Sequence, residues 1–162
     1  MDTNLNDWIK NSLSLEKIEP FMVWSAQNLG HIDIELNEEF QELKSKLETI
    51  EGGIRFQKHM LTSQWWTIVA YELVRAINEL EQKNSFEDNT RKILEKLLAD
   101  LTKIRTPLAK FQKASGKNKK ISQIAYPIWF LNLGVGWKLD NGEVFSRKKF
   151  GEDLLELLKS LN

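Results

Sequence analysis

The sequence predicts a mainly α-helical fold, a helical bundle with a small C-terminal β-hairpin and a closing helix. Apolar residues recur at steps of three and four through the first two thirds of the chain, which is the helical period. Asp140-Asn141-Gly142 lies between two short β-forming runs, and leucines then recur along one side of residues 150–161. We predict a single domain, with the bundle over about 1–114 and a basic loop, the hairpin and the final helix over about 115–162.

Cap and breaker residues divide the first third of the chain into predicted helices. Trp8 indicates a short first helix. Pro20 suits the first turn of a second helix and Gly30 its C-terminal stop, which places Phe21, Trp24 and Asn28 on one stripe. Asn37 is the predicted N-cap of a third helix, which ends or kinks at Gly52-Gly53.

The helix predicted over 54–80 carries the strongest signal. Between Trp65 and Ile77 it is apolar nearly all round, which is typical of a helix surrounded by others. Trp65 and Trp66 are adjacent and point about 100° apart. We expect one of them to fill the core and the other to pack under the hairpin or at an interface.

Two further helices complete the predicted fold. Ser85 is the predicted N-cap of the first, and Thr106-Pro107 is expected to break or bend it because proline lacks an N–H. Ser146 is the predicted N-cap of the closing helix.

The composition excludes several classes of function. The chain has 162 residues, no cysteine and two histidines, so thiolate metal sites and cysteine nucleophiles are excluded and no metal or cofactor is expected. Neither a secretory leader nor a membrane span is apparent, which predicts a cytoplasmic protein that does not enter a membrane.

The charge is neutral overall but unevenly placed. Residues 101–149 hold eleven lysines and arginines against two acidic residues, and the remainder of the chain carries the opposite excess. This pattern predicts a basic face that binds nucleic acid or an acidic protein surface, although a solvated face balanced by acidic helices is an alternative. The predicted binding residues are Arg105, Lys110, Lys113, Lys117, Lys119, Lys120 and Trp137.

The central helix supplies the candidate catalytic residues. His59 is a candidate general base, and Glu72 with Arg75, three residues apart, is a candidate anion-holding pair that Arg105 could complete. The structural alternative for each is a satisfied histidine and an ion pair.

These observations leave two functions open. The preferred hypothesis is a non-enzymatic interaction module that binds a protein or nucleic-acid partner through the 101–149 face. The alternative is a small enzyme that acts on a phosphorylated or nucleic-acid substrate. A homodimer in which acidic and basic segments pair across a two-fold axis is also open.

Overall fold

The computed structural model describes residues 4–84, 86–110 and 125–161, the side chains of 81–84 and 110 excepted. Within these ranges the fold is mainly α, with a small antiparallel sheet and a closing helix, as predicted. The elements in chain order are α1 (Leu5–Ser12), a 3-10 helix (Leu13–Lys17), α2 (Pro20–Leu43), α3 (Ile50–Asn84), α4 (Asp88–Lys110), β1 (Ala125–Phe130), β2 (Gly134–Leu139), β3 (Val144–Ser146) and α5 (Arg147–Ser160).

Helix α2 is longer than predicted. Pro20 begins it as expected, but the helix continues through Gly30 and Asn37 to Leu43, so the predicted stop and the predicted N-cap are both wrong. Gly30 is needed for space, because a Cβ there would overlap the buried ring of Trp8. The side chain of Asn37 accepts a hydrogen bond from Arg147 of α5, so it serves a tertiary contact.

Helix α3 also passes through its predicted break. It begins at Ile50 and includes Gly52 and Gly53 in its first turns. The Thr49 hydroxyl accepts the Gly52 N–H at 2.9 Å and so satisfies one of the free donors of the helix start. Only one side of α3 is covered: Trp66 is 2% exposed, whereas its neighbour Trp65 is 60% exposed.

Helix α4 contains Pro107 without ending there. The helix continues to Lys110, so a break at Thr106-Pro107 is wrong, and the alternative, a bend there, stays a prediction. Near this helix end, the Gln64 side chain of α3 donates to the Leu108 carbonyl at 2.7 Å. Ser85, the predicted N-cap of this helix, lies outside the described residues.

The sheet has the order β1-β2-β3 with both pairs antiparallel. The predicted Asp140-Asn141-Gly142 turn joins β2 to β3, and Gly142 takes the left-handed conformation at φ 88° that glycine permits. Strand β1 enlarges the predicted hairpin to three strands. The Ser146 hydroxyl accepts the Lys149 N–H, which confirms the predicted cap of α5.

The core lies where α1–α4 and β2 meet α5. Trp8, Trp66 and Trp137 are its largest fully buried side chains, and Leu154, Leu157 and Leu158 contribute the inner side of α5. None of the helices in the described ranges is long and apolar enough to span a membrane.

Candidate functional site

His59 is buried in a structural setting. It is 1% exposed, and its Nδ1 lies 2.9 Å from Glu39 Oε2. The ring of Trp129 from β1 covers it, with ring centroids 6.0 Å apart. Burial lowers the pKa of His59 below its ordinary 6.5, although the hydrogen bond and charge of Glu39 oppose that shift. The contact between His59 and Glu39 joins α3 to α2.

The other candidate catalytic residues form a second, separate cluster. Arg75 Nε donates to Glu72 at 2.9 Å and its Nη1 contacts Glu79, while Arg105 of α4 donates to the other oxygen of Glu72 at 3.3 Å. Glu72, Arg75 and Arg105 are thus brought together, largely at the surface. His59 precedes Glu72 by thirteen helical positions, which is about 20 Å along α3. The structure does not bring the four side chains to one cavity.

The basic side chains of 101–149 that the structure describes are mostly in ion pairs. Lys103 Nζ lies 2.6 Å from Glu143, and Lys149 Nζ lies 2.7 Å from Asp153. These partners raise the pKa of both lysines. Arg147 is buried against Asp33, so its charge does not face solvent.

Of the remaining predicted binding residues, the structure describes the side chain of Trp137 but none of the lysine side chains. Trp137 is 2% exposed and packs in the core, with an edge at an apolar cavity. The side chain of Lys110, and all of Lys113, Lys117, Lys119 and Lys120, lie outside the described residues.

A buried polar cluster joins three helices. Arg147 donates to the Asp33 carboxylate and to the Asn37 side chain of α2, and its guanidinium lies 5.5 Å from the Trp66 ring centroid on α3. Burial lowers the pKa of Arg147, and the Asp33 charge opposes that shift. The cluster is enclosed, which makes it part of the structural core.

A groove lies between α2 and α3. The helices are antiparallel: Glu39 contacts His59, and ten residues earlier on α2 the Leu29 carbonyl accepts the Trp66 Nε1–H at 2.9 Å. A cavity of about 330 Å³ occupies one end of the groove. Its lining residues are Glu35, Leu36, Glu38, Glu39, Glu42, Arg55, Lys58 and Thr62. We call this end the acidic half.

The side of each helix that lines the cavity continues beyond it, because residues three or four positions apart lie on the same side of a helix. Positions 24, 28, 31, 35, 38 and 42 follow one another at spacings of three and four on α2, and positions 55, 58, 62, 65 and 69 do so on α3. Beyond the cavity these positions include Trp24, Trp65 and Val69, which are 70%, 60% and 46% exposed, with Phe21 one turn before Trp24. We call this end the aromatic half.

A second cavity lies on the other side of α3. It measures about 470 Å³ and lies between α3, the end of α4 and the sheet. Its apolar lining includes Phe56, Met60, Leu108, Pro127 and Trp137. In the described ranges, no group of three or more acidic or histidine side chains is arranged to hold a metal ion.

The groove is not apparent from the sequence when a helix end is predicted at Gly30. Phe21, Trp24 and Asn28 then share one stripe, but that stripe ends before the glutamates. One uninterrupted three-and-four spacing from position 24 to position 42 is the signal that would have found it.

Comparison with family models, curated proteins and solved structures gives no match for this chain.

The environment of His59 makes the stability of the protein depend on pH. Because the folded pKa lies below 6.5, the unfolded chain binds more protons between the two values, and the free energy of unfolding falls as pH drops through that window. The slope contributed by this group is at most about 1.4 kcal/mol per pH unit. We expect urea unfolding at pH 7, 6 and 5 to show a smaller loss for His59→Gln than for the wild type.

The exposed His31 on α2 provides the control for this experiment. His31→Gln is expected to keep the wild-type loss of stability on acidification. Equal pH slopes for His59→Gln and the wild type would show that His59 is not the linked group.

Proposed function

We propose that this chain is a non-enzymatic interaction module that binds a protein partner through the aromatic half of the α2–α3 groove. The observation that carries the proposal is the exposure of Trp24 and Trp65 on the two helix faces that continue from the cavity-lining residues of α2 and α3. Large aromatic side chains contribute most of the energy of many protein interfaces, and a contiguous exposed apolar patch marks such a surface.

The neighbouring residues extend this surface. Val69 is 46% exposed beside Trp65, and Phe21 is 83% exposed beside Trp24. Leu61 and Ile54, 54% and 65% exposed, lie further along α3, beside the acidic half. A single exposed leucine needs no explanation, but four large apolar side chains at one end of two adjoining helices favour an interface.

The enzymatic alternative has less support. His59 is enclosed and bonded to Glu39, and the Glu72–Arg75–Arg105 cluster lies about 20 Å away along α3. Catalysis requires an acid or base within hydrogen-bond reach of a bound substrate. Among the described residues these groups make structural bonds with one another instead.

Binding of nucleic acid depends on residues that the structure does not describe. Of the basic residues of 101–149, Lys103, Arg105, Arg147 and Lys149 already contact carboxylates. A phosphate-binding surface would therefore rest mainly on the lysines between 110 and 120. The experiment below distinguishes nucleic-acid binding from protein binding.

The test compares a Trp24→Ser/Trp65→Ser double variant with a Leu131→Ser/Val144→Ser control. All four side chains are exposed, so both variants are expected to unfold near the wild-type urea midpoint. The tagged proteins are incubated with nuclease-treated extract of the source cells, and captured proteins are quantified by mass spectrometry. We expect the wild type and the control to retain a common set of proteins that the groove variant loses by at least about tenfold.

Two results would contradict the proposed function. Capture that is unchanged in the groove variant would remove the aromatic half as the binding surface. Retention on a phosphate-bearing matrix that weakens steeply with salt, together with capture from untreated extract that is lost from nuclease-treated extract, would assign the function to the basic segment instead.

A further inference from the structure

The two halves of the α2–α3 groove differ in chemistry, and this difference specifies a partner. We propose that the groove binds an amphipathic helix of another protein, an inference that rests on the proposed function. Large apolar residues of this helix would lie against the aromatic half, and its lysines or arginines against the acidic half. A shallow channel between two packed helices fits a third helix laid along it.

The dimensions of the groove agree with a helical ligand. Its α2 wall runs from position 24 to position 42, eighteen helical residues or about 27 Å. A partner helix of about eighteen residues spans both halves at once. Such a ligand would make apolar contacts along its first turns and ionic contacts along its last turns.

The charge of the acidic half selects a basic ligand. Four glutamates line it against Arg55 and Lys58, which leaves an excess of two negative charges. Arg55 is already engaged by Glu39 and Glu42, at 3.6 and 3.0 Å. Glu35 and Glu38 have no ion-pair contact within the described part of the chain, and each can receive a cation without a loss of internal bonds.

A second copy of this chain fits the groove less well. A two-fold axis along the groove would place acidic half against acidic half. A two-fold axis across the groove would place the acidic half against the aromatic half and bury glutamates against indole rings. The first arrangement repels and the second desolvates charge, so an isologous dimer through this face is disfavoured.

The test uses two synthetic eighteen-residue helical peptides with a fluorescent label. The first carries leucines on one face of its first half and lysines on the same face of its second half. The second has glutamates in place of the lysines. Fluorescence anisotropy at about 0.15 M salt, where charges further apart than about 8 Å are screened, measures the affinity of both. We expect the lysine peptide to bind at least about tenfold more tightly than the glutamate peptide.

A charge reversal locates this preference on the groove. In Glu35→Lys/Glu38→Lys the order of the two peptides is expected to reverse. The control, Glu87→Lys/Glu95→Lys, makes the same change of net charge at two exposed positions before and on α4 and is expected to keep the wild-type order. Reversal in both variants would mean that net charge alone sets the preference, and the inference would fail.

The remaining outcomes separate this inference from the proposed function. Equal binding of the two peptides to the wild type, weakened in Trp24→Ser/Trp65→Ser, would overturn the charge preference and leave the proposed function standing. Undiminished binding of the lysine peptide to Trp24→Ser/Trp65→Ser would overturn both. Concentration-dependent dimerisation in sedimentation that this double variant abolishes would identify a second copy as the occupant and overturn the inference.

Discussion

Replacement of Arg147 by methionine is expected to lower the free energy of unfolding by about 3–5 kcal/mol. Arg147 is 3% exposed and Asp33 is 1% exposed, so the substitution removes a buried cation that contacts a buried carboxylate. The Asn37 side chain loses a donor in the same step. Urea unfolding followed by circular dichroism measures the change.

Asp33 and Arg147 are expected to affect stability as a pair. Replacing both residues, in Asp33→Leu/Arg147→Met, removes the two charges together and is expected to restore a large part of the lost stability. If the double variant lost as much stability as the two single variants together, Arg147 and Asp33 would act independently, contrary to the observed contact.

A matched control lies on the same helix. Lys149 is two residues further along α5 and contacts Asp153 at 2.7 Å, but its side chain is 56% exposed. Lys149→Met is expected to cost less than about 1 kcal/mol, because an exposed ion pair gains little over hydration. A loss for Lys149→Met as large as that for Arg147→Met would contradict the role of burial.

The role of Arg147 illustrates what the sequence could not supply. The chain shows an arginine at the start of a predicted helix among other basic residues, and local pattern favours a solvated side chain there. Its partner Asp33 lies 114 positions earlier. A contact of that separation depends on how α5 packs on α2, which no local spacing encodes.

Cap residues were predictable where the cause is local. Ser146 caps α5 and Pro20 begins α2 because the deciding interactions lie within one turn of the residue. Gly30, Asn37 and Pro107 were misread as helix ends because their roles are set by distant residues or tolerated by the surrounding packing. Tertiary contacts override propensity at those positions.

The candidate site was predictable only in part. Arg75 and Arg105 both contact Glu72, as residue spacing and charge suggested. The aromatic half was not found, because an apolar run from Trp65 to Ile77 predicts burial all round, whereas neighbouring helices cover only part of α3. Which side of an apolar helix remains open depends on the number and placement of its neighbours, and this is a property of the whole fold.

Replacement of Trp8 by alanine is expected to lower the free energy of unfolding by about 3–5 kcal/mol. It is also expected to reverse the effect of a second substitution on stability. Trp8 is fully buried and lies directly against Gly30 of α2. A Cβ on Gly30 would overlap Trp8 Cγ and come within 2.7 Å of Trp8 Cδ2, so Gly30→Ala in the wild type is expected to destabilise the protein by about 1–3 kcal/mol.

The Trp8→Ala background removes the obstacle at Gly30. Alanine is favoured over glycine inside a helix by up to about 1 kcal/mol, and it also fills part of the new cavity. Gly30→Ala is therefore expected to stabilise Trp8→Ala while it destabilises the wild type. Urea unfolding of the four proteins in this cycle measures the coupling directly.

Gly53 provides the control that distinguishes steric conflict from helix propensity. It also lies inside a helix, near the start of α3, but a Cβ there would meet no atom within 4 Å. Gly53→Ala is expected to stabilise the protein by up to about 1 kcal/mol in either background. If Gly30→Ala behaved like Gly53→Ala in the wild type, contact with Trp8 could not be the reason for glycine at position 30. Close packing against Trp8 therefore explains a glycine in the middle of α2, where glycine otherwise lowers helix stability.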